Sequence, residues 1–334
     1  MVLTANLLMK ESSVMIRRLI AGVILLTAVI VADVGVSCAE QQFVASIITG
    51  DLQRYRSAHE AFLKILRAGG MSEEKVKVHV QSPNPDVMSW ANSIRKAVGG
   101  GADLIITYGA PVTLVGKKEI KGIPLLFADV YDPVALGIVK DLAVTGGEIS
   151  GIASTTPVET LAHTLVDIQA PKAILALYTS SEQGSLLQAK RMEEQGKKLG
   201  FAVNKVDVKN REAAKQAISD AKGHADAVFI TESIVLSQGL QDLIAVSNEK
   251  HLPVLTQIPE SGEKGAFLTL EADPVEQGQL LAVHALQVLG GQKVFTLPVR
   301  TPKKVALVVN MKVAEELGIK VPFQALSLAT RVIK

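Results

Sequence analysis

Short apolar runs alternate with amphipathic stretches along the chain after residue 42. The runs 43–48, 104–106 and 123–128 predict buried strands, and the alternation at 76–80 predicts a further strand. The apolar positions within 58–66 recur at the spacing of one helix face. Because strands alternate with helices at this interval, the pattern predicts βαβ units around a parallel sheet. Strands in such a sheet are covered on both faces, so continuous apolar runs are expected in place of strict alternation.

The same arrangement returns in the second half of the chain. One helix start in each half is marked by a capping residue followed by a proline at the first helical position. These starts are Asn84-Pro85 in the first half and Thr156-Pro157 in the second. Further strands are predicted at 173–177, 202–206, 227–230 and 253–256, with helices between them at 185–199, 211–221 and 234–248. These elements predict a second α/β unit of similar size.

The last part of the chain is less regular. Its predicted elements are a strand at 266–270, a helix from Asp273-Pro274 to Leu289, a strand at 305–309 and a short helix at 313–317. Because two α/β units are already complete, the chain is expected to cross back and add to both. The predicted fold is therefore α/β, with two Rossmann-like lobes whose parallel sheets are joined by a hinge of several crossings. Lobe 1 is assigned residues 40–155 plus about 271–304, and lobe 2 residues 156–270 plus about 305–334.

Residues 1–39 have the order of a secretory signal peptide. Two arginines precede an uninterrupted apolar run at 19–31, and Ser37 and Ala39 occupy the −3 and −1 positions of a small-residue cleavage pattern. We therefore expect cleavage after Ala39 and a periplasmic location.

Alternatives stay open at this end of the chain. Lipidation of Cys38 would anchor the exported protein. The apolar run, which continues to Val36 with only Asp33 interrupting it, is also long enough for a membrane anchor. Translation can begin at Met1, Met9 or Met15.

The composition excludes several classes of protein. The 334 residues are enough for roughly two domains, and a content of 48% hydrophobic residues excludes a disordered chain. The formal net charge of +2 gives no basic surplus for binding nucleic acid. The single cysteine excludes internal disulfides and cysteine-rich metal sites.

The sequence also lacks the common catalytic motifs. There is no GxGxxG after a strand, no Walker A sequence, no GxSxG elbow and no HExxH pair. We therefore expect no enzyme activity, no cofactor and no metal. An enzyme working in the cleft, such as an isomerase, would need an acid–base pair, for which Asp51, Asp129 and Glu232 are the plausible carboxylates.

Polar residues gather where the predicted strands end. Ligands bind outside the carboxyl ends of parallel strands, and in a two-lobed protein those ends face the cleft. Strand ends that lead into helices also offer free backbone N–H groups, which suit a ligand carboxylate. The candidate ligand-binding residues are Thr49, Asp51, Tyr108, Gly109, Ala110, Asp129, Tyr131, Tyr178, Ser180, Ser181, Thr231, Glu232, Ser233 and Gln257. The alternative is that the hydroxyl and carboxylate members cap helices and that the tyrosines wall the interface between the lobes.

Several of these segments resemble a family of ABC-transporter substrate-binding proteins. The matching segments are TYGAP at 107–111, IPLLFA at 123–128, DPV at 132–134, GGEISGI at 146–152, KGA at 264–266, QG at 277–278 and VVN at 308–310. The resemblance implies a type I periplasmic-binding-protein fold and delivery of a small solute to a membrane permease. Some members of the family bind aromatic amino acids such as tryptophan.

On this basis we expect an exported, monomeric solute-binding subunit of an ABC importer, which captures an aromatic or other amino acid between its lobes. The expected partners are that small-molecule ligand and an ABC permease in the inner membrane, without nucleic acid. The alternative is a sensor ectodomain or partner-binding protein of the same fold.

Overall fold

The computed structural model describes residues 41–334. Its sheets are built from strands of three to six residues. The expected signal peptide, the start methionines and Cys38 lie outside the described residues. In chain order the strands are β1 Gln42–Ile47, β2 Val76–Gln81, β3 Leu104–Tyr108, β4 Leu125–Val130, β5 Ile149–Ala153, β6 Ala173–Tyr178, β7 Ala202–Asp207, β8 Ala227–Ile230, β9 Val254–Thr256, β10 Leu268–Ala272, β11 Val305–Asn310 and β12 Arg331–Ile333.

Helices connect most of these strands. They are α1 Gln53–Ala68, α2 Val87–Gly99, α3 Ala110–Glu119, α4 Val158–Ile168, α5 Gln183–Leu199, α6 Arg211–Asp220, α7 Ile234–Gln238, α8 Leu240–Glu249, α9 Pro274–Leu289, α10 Met311–Glu316 and α11 Phe323–Leu328. None of the helices in residues 41–334 combines the length and the apolar character needed to cross a membrane.

The first sheet has five parallel strands in the order β2-β1-β3-β4-β5. Strands β3, β4 and β5 are buried along their whole length, whereas the edge strand β2 is mostly accessible to solvent. This is the burial expected of a sheet with helices on both faces. We call this sheet with its helices the first lobe.

The second sheet has seven strands in the order β12-β11-β10-β9-β8-β6-β7 and, with its helices, forms the second lobe. Its strands pair in parallel except β10 with β11, where Leu268 lies opposite Val309 in an antiparallel pair. The chain leaves β10 towards the first lobe and returns from it into β11. Because it re-enters at the edge where β10 ends, β11 must run in the opposite direction. The predicted two-lobed α/β fold is confirmed, with this one pair departing from a wholly parallel arrangement.

Helix α9 follows β10 but packs against α1 of the first lobe. The two helices touch at Gly278, where an added Cβ would lie 1.9 Å from the backbone oxygen of Ala58. Further on, the backbone N–H of Arg300 donates to the oxygen of Gly151 in β5 at 3.0 Å. These contacts support the assignment of residues 271–304 to lobe 1, which stays a prediction together with the other lobe boundaries.

Three predicted helices have different boundaries in the structure. Asn84-Pro85 precede α2 without starting it, and the side chain of Asp86 caps the helix by accepting from the N–H of Ser89. Thr156 does not cap α4, because its hydroxyl instead donates to the backbone oxygen of Leu270 at 3.4 Å. The predicted helix at 234–248 is divided into α7 and α8 at Gly239, the one residue of this stretch that has no side chain to stabilise a helix.

The predictions for β10 and for some short elements were incomplete. The strand predicted at 266–270 is shifted to Leu268–Ala272, while the helix predicted from Asp273-Pro274 is confirmed and is capped by the Asp273 side chain. Strands β5 and β12 and helices α3 and α11 were not predicted. The two strands and α11 have six residues or fewer, and α3 is longer but has little apolar periodicity, so the sequence pattern is weak in all four.

Candidate functional site

The two lobes meet along the carboxyl ends of their strands, and side chains cross directly from one lobe to the other. The guanidinium of Arg54 in α1 donates to Ser237 Oγ at 2.9 Å, and Gln238 Nε2 donates to the backbone oxygen of Gly50 at 2.8 Å. Arg191 in α5 donates to Tyr131 Oη at 2.9 Å and forms an ion pair with Asp132 of the first lobe. The cleft between the lobes is therefore closed in this structure.

A small cavity of about 30 Å³ remains between the lobes. By volume it holds roughly two water molecules. It is lined by Arg54, Tyr55, Ala110, Pro111, Asp129 and Tyr131 of the first lobe and by Glu182, Gly184, Ser185 and Glu232 of the second lobe. Charged side chains thus face this cavity from both lobes.

Arg54 and Asp129 form a buried ion pair at the floor of the cavity. The Nε of Arg54 lies 2.6 Å from Asp129 Oδ2, and the two side chains are only 7% and 5% exposed. The backbone of Asp129 has a φ of +54° and is held by Gln277 of α9, whose side-chain oxygen accepts from the Asp129 N–H at 2.9 Å. Burial disfavours the charge of Arg54, but Tyr55 and Asp129 outweigh it and hold the pKa of Arg54 above its ordinary value.

Two glutamates approach the same cavity from the second lobe. Glu232, two residues after the end of β8, accepts a hydrogen bond from Gln188 Nε2 at 2.8 Å. Its burial, and next the charge of Asp129, raise the pKa of Glu232 above its ordinary range. Glu182, directly before α5, accepts from the backbone N–H of Ile234 at 2.9 Å. Burial raises the pKa of Glu182 to about 7.

Two helix N-termini point at the cavity from opposite sides. Ala110 and Pro111 begin α3 in the first lobe, and Gly184 and Ser185 lie in the first turn of α5 in the second. Neither helix has a side-chain cap that satisfies its first N–H groups. Free N–H groups and the positive end of a helix suit a carboxylate.

Gly109 allows the approach of α3 to the cavity. It has a φ of +91°, and an added Cβ would lie 2.2 Å from Tyr55 Oη. A side chain at position 109 would therefore be excluded twice, by the left-handed backbone and by the tyrosine.

Four of the predicted site residues line the cavity, namely Ala110, Asp129, Tyr131 and Glu232. Burial raises the pKa of the Tyr131 hydroxyl to about 12, so Tyr131 is a neutral hydrogen-bonding group at physiological pH. Gly109 lies one residue outside, as the residue that precedes α3.

Several of the other predicted residues form hydrogen bonds within their own lobe. Thr49 accepts from the indole N–H of Trp90 at 2.9 Å, and Tyr108 lies fully buried with its hydroxyl 3.0 Å from His59 Nδ1. The hydroxyl of Ser233 caps α7. Thr231 shares a hydrogen bond of 2.6 Å with Ser185, and Gln257 donates to the backbone oxygen of Thr156 at 2.7 Å. These side chains do not line the cavity.

The remaining predicted residues lie farther from it. Asp51 is exposed and pairs with Arg56, and Ser180 is exposed and donates to Asp207 Oδ2 at 2.6 Å. Ser181 is also exposed, and Tyr178 is partly buried at the end of β6.

Sequence reasoning missed six residues of the lining, including both Arg54 and Glu182. Arg54 carried a signal, because it lies four residues before Ala58 and therefore on the apolar face of α1 that buries Phe62. A charged residue on a buried helix face needs a partner. Glu182 carried the same strand-end signal as the candidate residues, because it follows the end of β6, but only the packing of α5 against the start of α7 places it at the cavity.

The family of the chain follows from a comparison with known proteins. The family model described as "ABC transporter substrate binding protein" matches residues 44–333. The chain belongs to this family. The match includes both lobes and every residue that lines the cavity.

Known relatives of this substrate-binding protein agree with that membership. A protein of Clostridioides difficile named "Tyrosine-binding protein" is 26% identical over 256 residues, which are 76% of this chain and 74% of that protein. Among solved structures, one from Streptococcus pneumoniae in complex with L-Trp has a TM-score of 0.83 and 22% identity, covering 88% of this chain and 100% of that one. The ligand-free, open structure of a C. difficile substrate-binding protein with adhesive properties has a TM-score of 0.67 and 23% identity, covering 88% and 99%.

Proposed function

We propose that this substrate-binding protein captures an amino acid between its lobes and presents it to the permease of an ABC importer. The observation that carries the proposal is the pairing of Glu232 with two uncapped helix N-termini around one interlobe cavity. The carboxylate of Glu232 is complementary to an α-ammonium group. The N–H groups at the starts of α3 and α5 are complementary to an α-carboxylate.

The relatives support the same class of ligand. One is named for binding tyrosine, and another was solved with L-Trp. In this chain the rings of Tyr55 and Tyr131 line the cavity and give it an apolar wall beside its charged groups.

An amino acid is far larger than the closed cavity of about 30 Å³, so binding requires the lobes to separate first. The hydrogen bonds that Arg54, Gln238 and Arg191 donate across the cleft hold the two lobes against each other. A ligand stabilises a closed form to the extent that its own contacts across the cleft exceed the ones it replaces. The proposed function needs no covalent chemistry.

Isothermal titration calorimetry tests the proposal. The chain is unfolded, dialysed and refolded to remove carried-over ligand, and is then titrated with the common amino acids, glucose, myo-inositol and adenosine. We expect heat of binding with at least one amino acid and none with the neutral sugars. Binding of a sugar or nucleoside, with no amino acid bound by folded protein, would contradict the proposal.

A matched pair of variants locates the site. Glu232→Gln removes one charge without changing shape and is expected to weaken amino-acid binding by about tenfold or more. Glu249→Gln changes an exposed carboxylate on α8 of the same lobe and is expected to leave the affinity unchanged. Equal affinities in the two variants would place the ligand elsewhere.

Export is the second part of the proposal. We expect the mature protein to begin at Glu40, which N-terminal sequencing of material from a periplasmic fraction would show. An N-terminus at Cys38 carrying lipid would establish the anchored form, and an uncleaved chain would favour the sensor ectodomain.

A further inference from the structure

The cleft of this protein closes around a guanidinium group, the one that Arg54 supplies. Arg54 donates to Asp129 Oδ2 at 2.6 Å within its own lobe and to Ser237 Oγ at 2.9 Å in the other lobe. Glu182 and Glu232 line the same small cavity, and the nearby charge of Arg54 favours their ionised forms against the effect of burial, which raises the pKa of both. The space between the lobes is thus shaped and charged for a planar cation on a flexible stem.

The lining has more negative charge than positive charge. The carboxylates are Asp129, Glu182 and Glu232, and among the lining residues only Arg54 is a cation. The nearby Arg191 is already paired with Asp132. When all these groups are ionised, the lining therefore carries two negative charges in excess, and a ligand with net positive charge neutralises them best.

One of these carboxylates, that of Glu232, accepts a hydrogen bond through only one of its two oxygens within residues 41–334. In the described part of the chain, Glu232 accepts from Gln188 through Oε2, and its Oε1 accepts no hydrogen bond. The α-ammonium of a bound amino acid supplies one donor for it. Glu182 and Asp129 then remain for a second cation of the same ligand.

We infer that the ligand is an amino acid with a cationic side chain, whose guanidinium or ammonium group replaces the guanidinium of Arg54 among Asp129, Glu182 and Glu232. This inference rests on the proposed function and names the substrate class of that site. An aromatic side chain in the same position would leave the buried carboxylate of Asp129 without a cation inside the cleft. A basic side chain provides Asp129 with the cation that it loses.

Two matched ligand pairs test the inference by calorimetry on the full refolded chain. Citrulline has the shape of arginine without its charge, and norleucine has the shape of lysine without its ammonium group. We expect arginine or lysine to bind at least about tenfold more tightly than its neutral partner. Equal affinity within both pairs, or tighter binding of tryptophan or tyrosine than of any basic amino acid, would overturn the inference and leave the proposed function standing. If no amino acid binds, both the inference and the proposed function are contradicted.

Variants at Arg54 give a second, independent test. Arg54→Ala removes the group that the ligand must displace, so the affinity for the basic amino acid is expected to rise by about tenfold. Arg54→Met, which keeps the stem of the side chain, replaces it if the alanine variant does not fold. Unchanged or lower affinity in a folded Arg54 variant would contradict displacement.

Glu182→Gln tests the second carboxylate with a control on the adjoining helix. The amide is expected to weaken arginine binding by about tenfold while leaving citrulline binding unchanged. Glu194→Gln alters an exposed carboxylate of α5 and should change neither. Loss of arginine and citrulline binding in equal measure would show that Glu182 supports the lobe without recognising the side-chain charge.

Discussion

Arg54 and Asp129 join α1 to the end of β4 through a buried ion pair with an N–O distance of 2.6 Å. Asp129 is one of five residues other than glycine with a positive φ in the described chain, and Gln277 of α9 fixes its backbone. Three segments that are distant in sequence therefore converge on one charge pair, directly beside the interlobe cavity.

Removing one partner of this pair should destabilise the protein. Asp129→Asn keeps the shape of the side chain and tolerates the left-handed backbone, but it leaves the buried guanidinium of Arg54 without its paired charge. We expect a loss of about 3 kcal/mol in the free energy of unfolding, measured by urea denaturation.

The exposed pair between Arg95 and Glu119 gives the control for this measurement. Its side chains are 62% and 26% exposed, so Glu119→Gln should cost less than about 1 kcal/mol. If both variants lose the same small amount, the Arg54–Asp129 pair makes no special contribution to stability.

The close approach of α9 to α1 predicts a strong effect at Gly278. A Cβ there would lie 1.9 Å from the backbone oxygen of Ala58, so Gly278→Ala must push the two helices apart. We expect a loss of about 1–3 kcal/mol in the free energy of unfolding. In Gly99→Ala, at the end of α2, an added Cβ meets nothing within 4 Å, and the variant should be at least as stable as the parent. A tolerated alanine at position 278 would contradict the packing described here.

Because Arg191 bonds to the first lobe, we expect a variant without its guanidinium to have an open cleft in the absence of ligand. Arg191→Met removes both the hydrogen bond to Tyr131 and the ion pair to Asp132. We expect small-angle X-ray scattering of the ligand-free variant to give a larger radius of gyration than that of the parent. Lys190→Met alters an exposed neighbour on the same helix and should leave the radius unchanged. Identical radii for all three proteins would show that Arg191 does not hold the cleft closed.

The raised pKa of Glu182 predicts that binding of a cationic amino acid depends on pH. With a pKa of about 7 the carboxyl group is protonated at pH 5.5 and ionised at pH 8, while the ligand keeps its charge throughout. Burial raises the pKa of Glu232 in the same direction, and Arg54 opposes the shift in both groups. Affinity should therefore increase as the pH rises through this window. Each carboxyl group that must lose its proton for binding contributes an increase of up to about tenfold per pH unit.

Glu182→Gln separates the contribution of this carboxyl group in the same titration. The amide cannot release a proton, so the variant should show a shallower dependence of affinity on pH than the parent. The same slope in parent and variant would assign the titration to Glu232 alone, and affinity that falls with rising pH would contradict a role for either glutamate in binding a cation.

The sequence determined the local structure and the class of fold. Apolar runs such as 104–106 and 173–177 could only be covered on both faces in a parallel sheet, and the segment at Asp273-Pro274 carried its own capping residue and helix start. These signals depend on neighbours within a few positions of the chain. They sufficed for two α/β lobes and for a search for the site at the strand ends, where Ala110, Asp129, Tyr131 and Glu232 do line the cavity.

Only the tertiary structure decided which polar residues face the interlobe cavity. Tyr108 and Gln257 lie at strand ends just as Glu232 does, yet they bond to His59 and Thr156 inside their lobes, because buried polar groups need a hydrogen-bond partner. Arg54 reaches the cavity because the bend of Asp129, fixed by Gln277 some 148 positions later in the chain, places a carboxylate beside α1. Such a convergence of distant segments depends on how the lobes pack, and no local pattern in the sequence contains it.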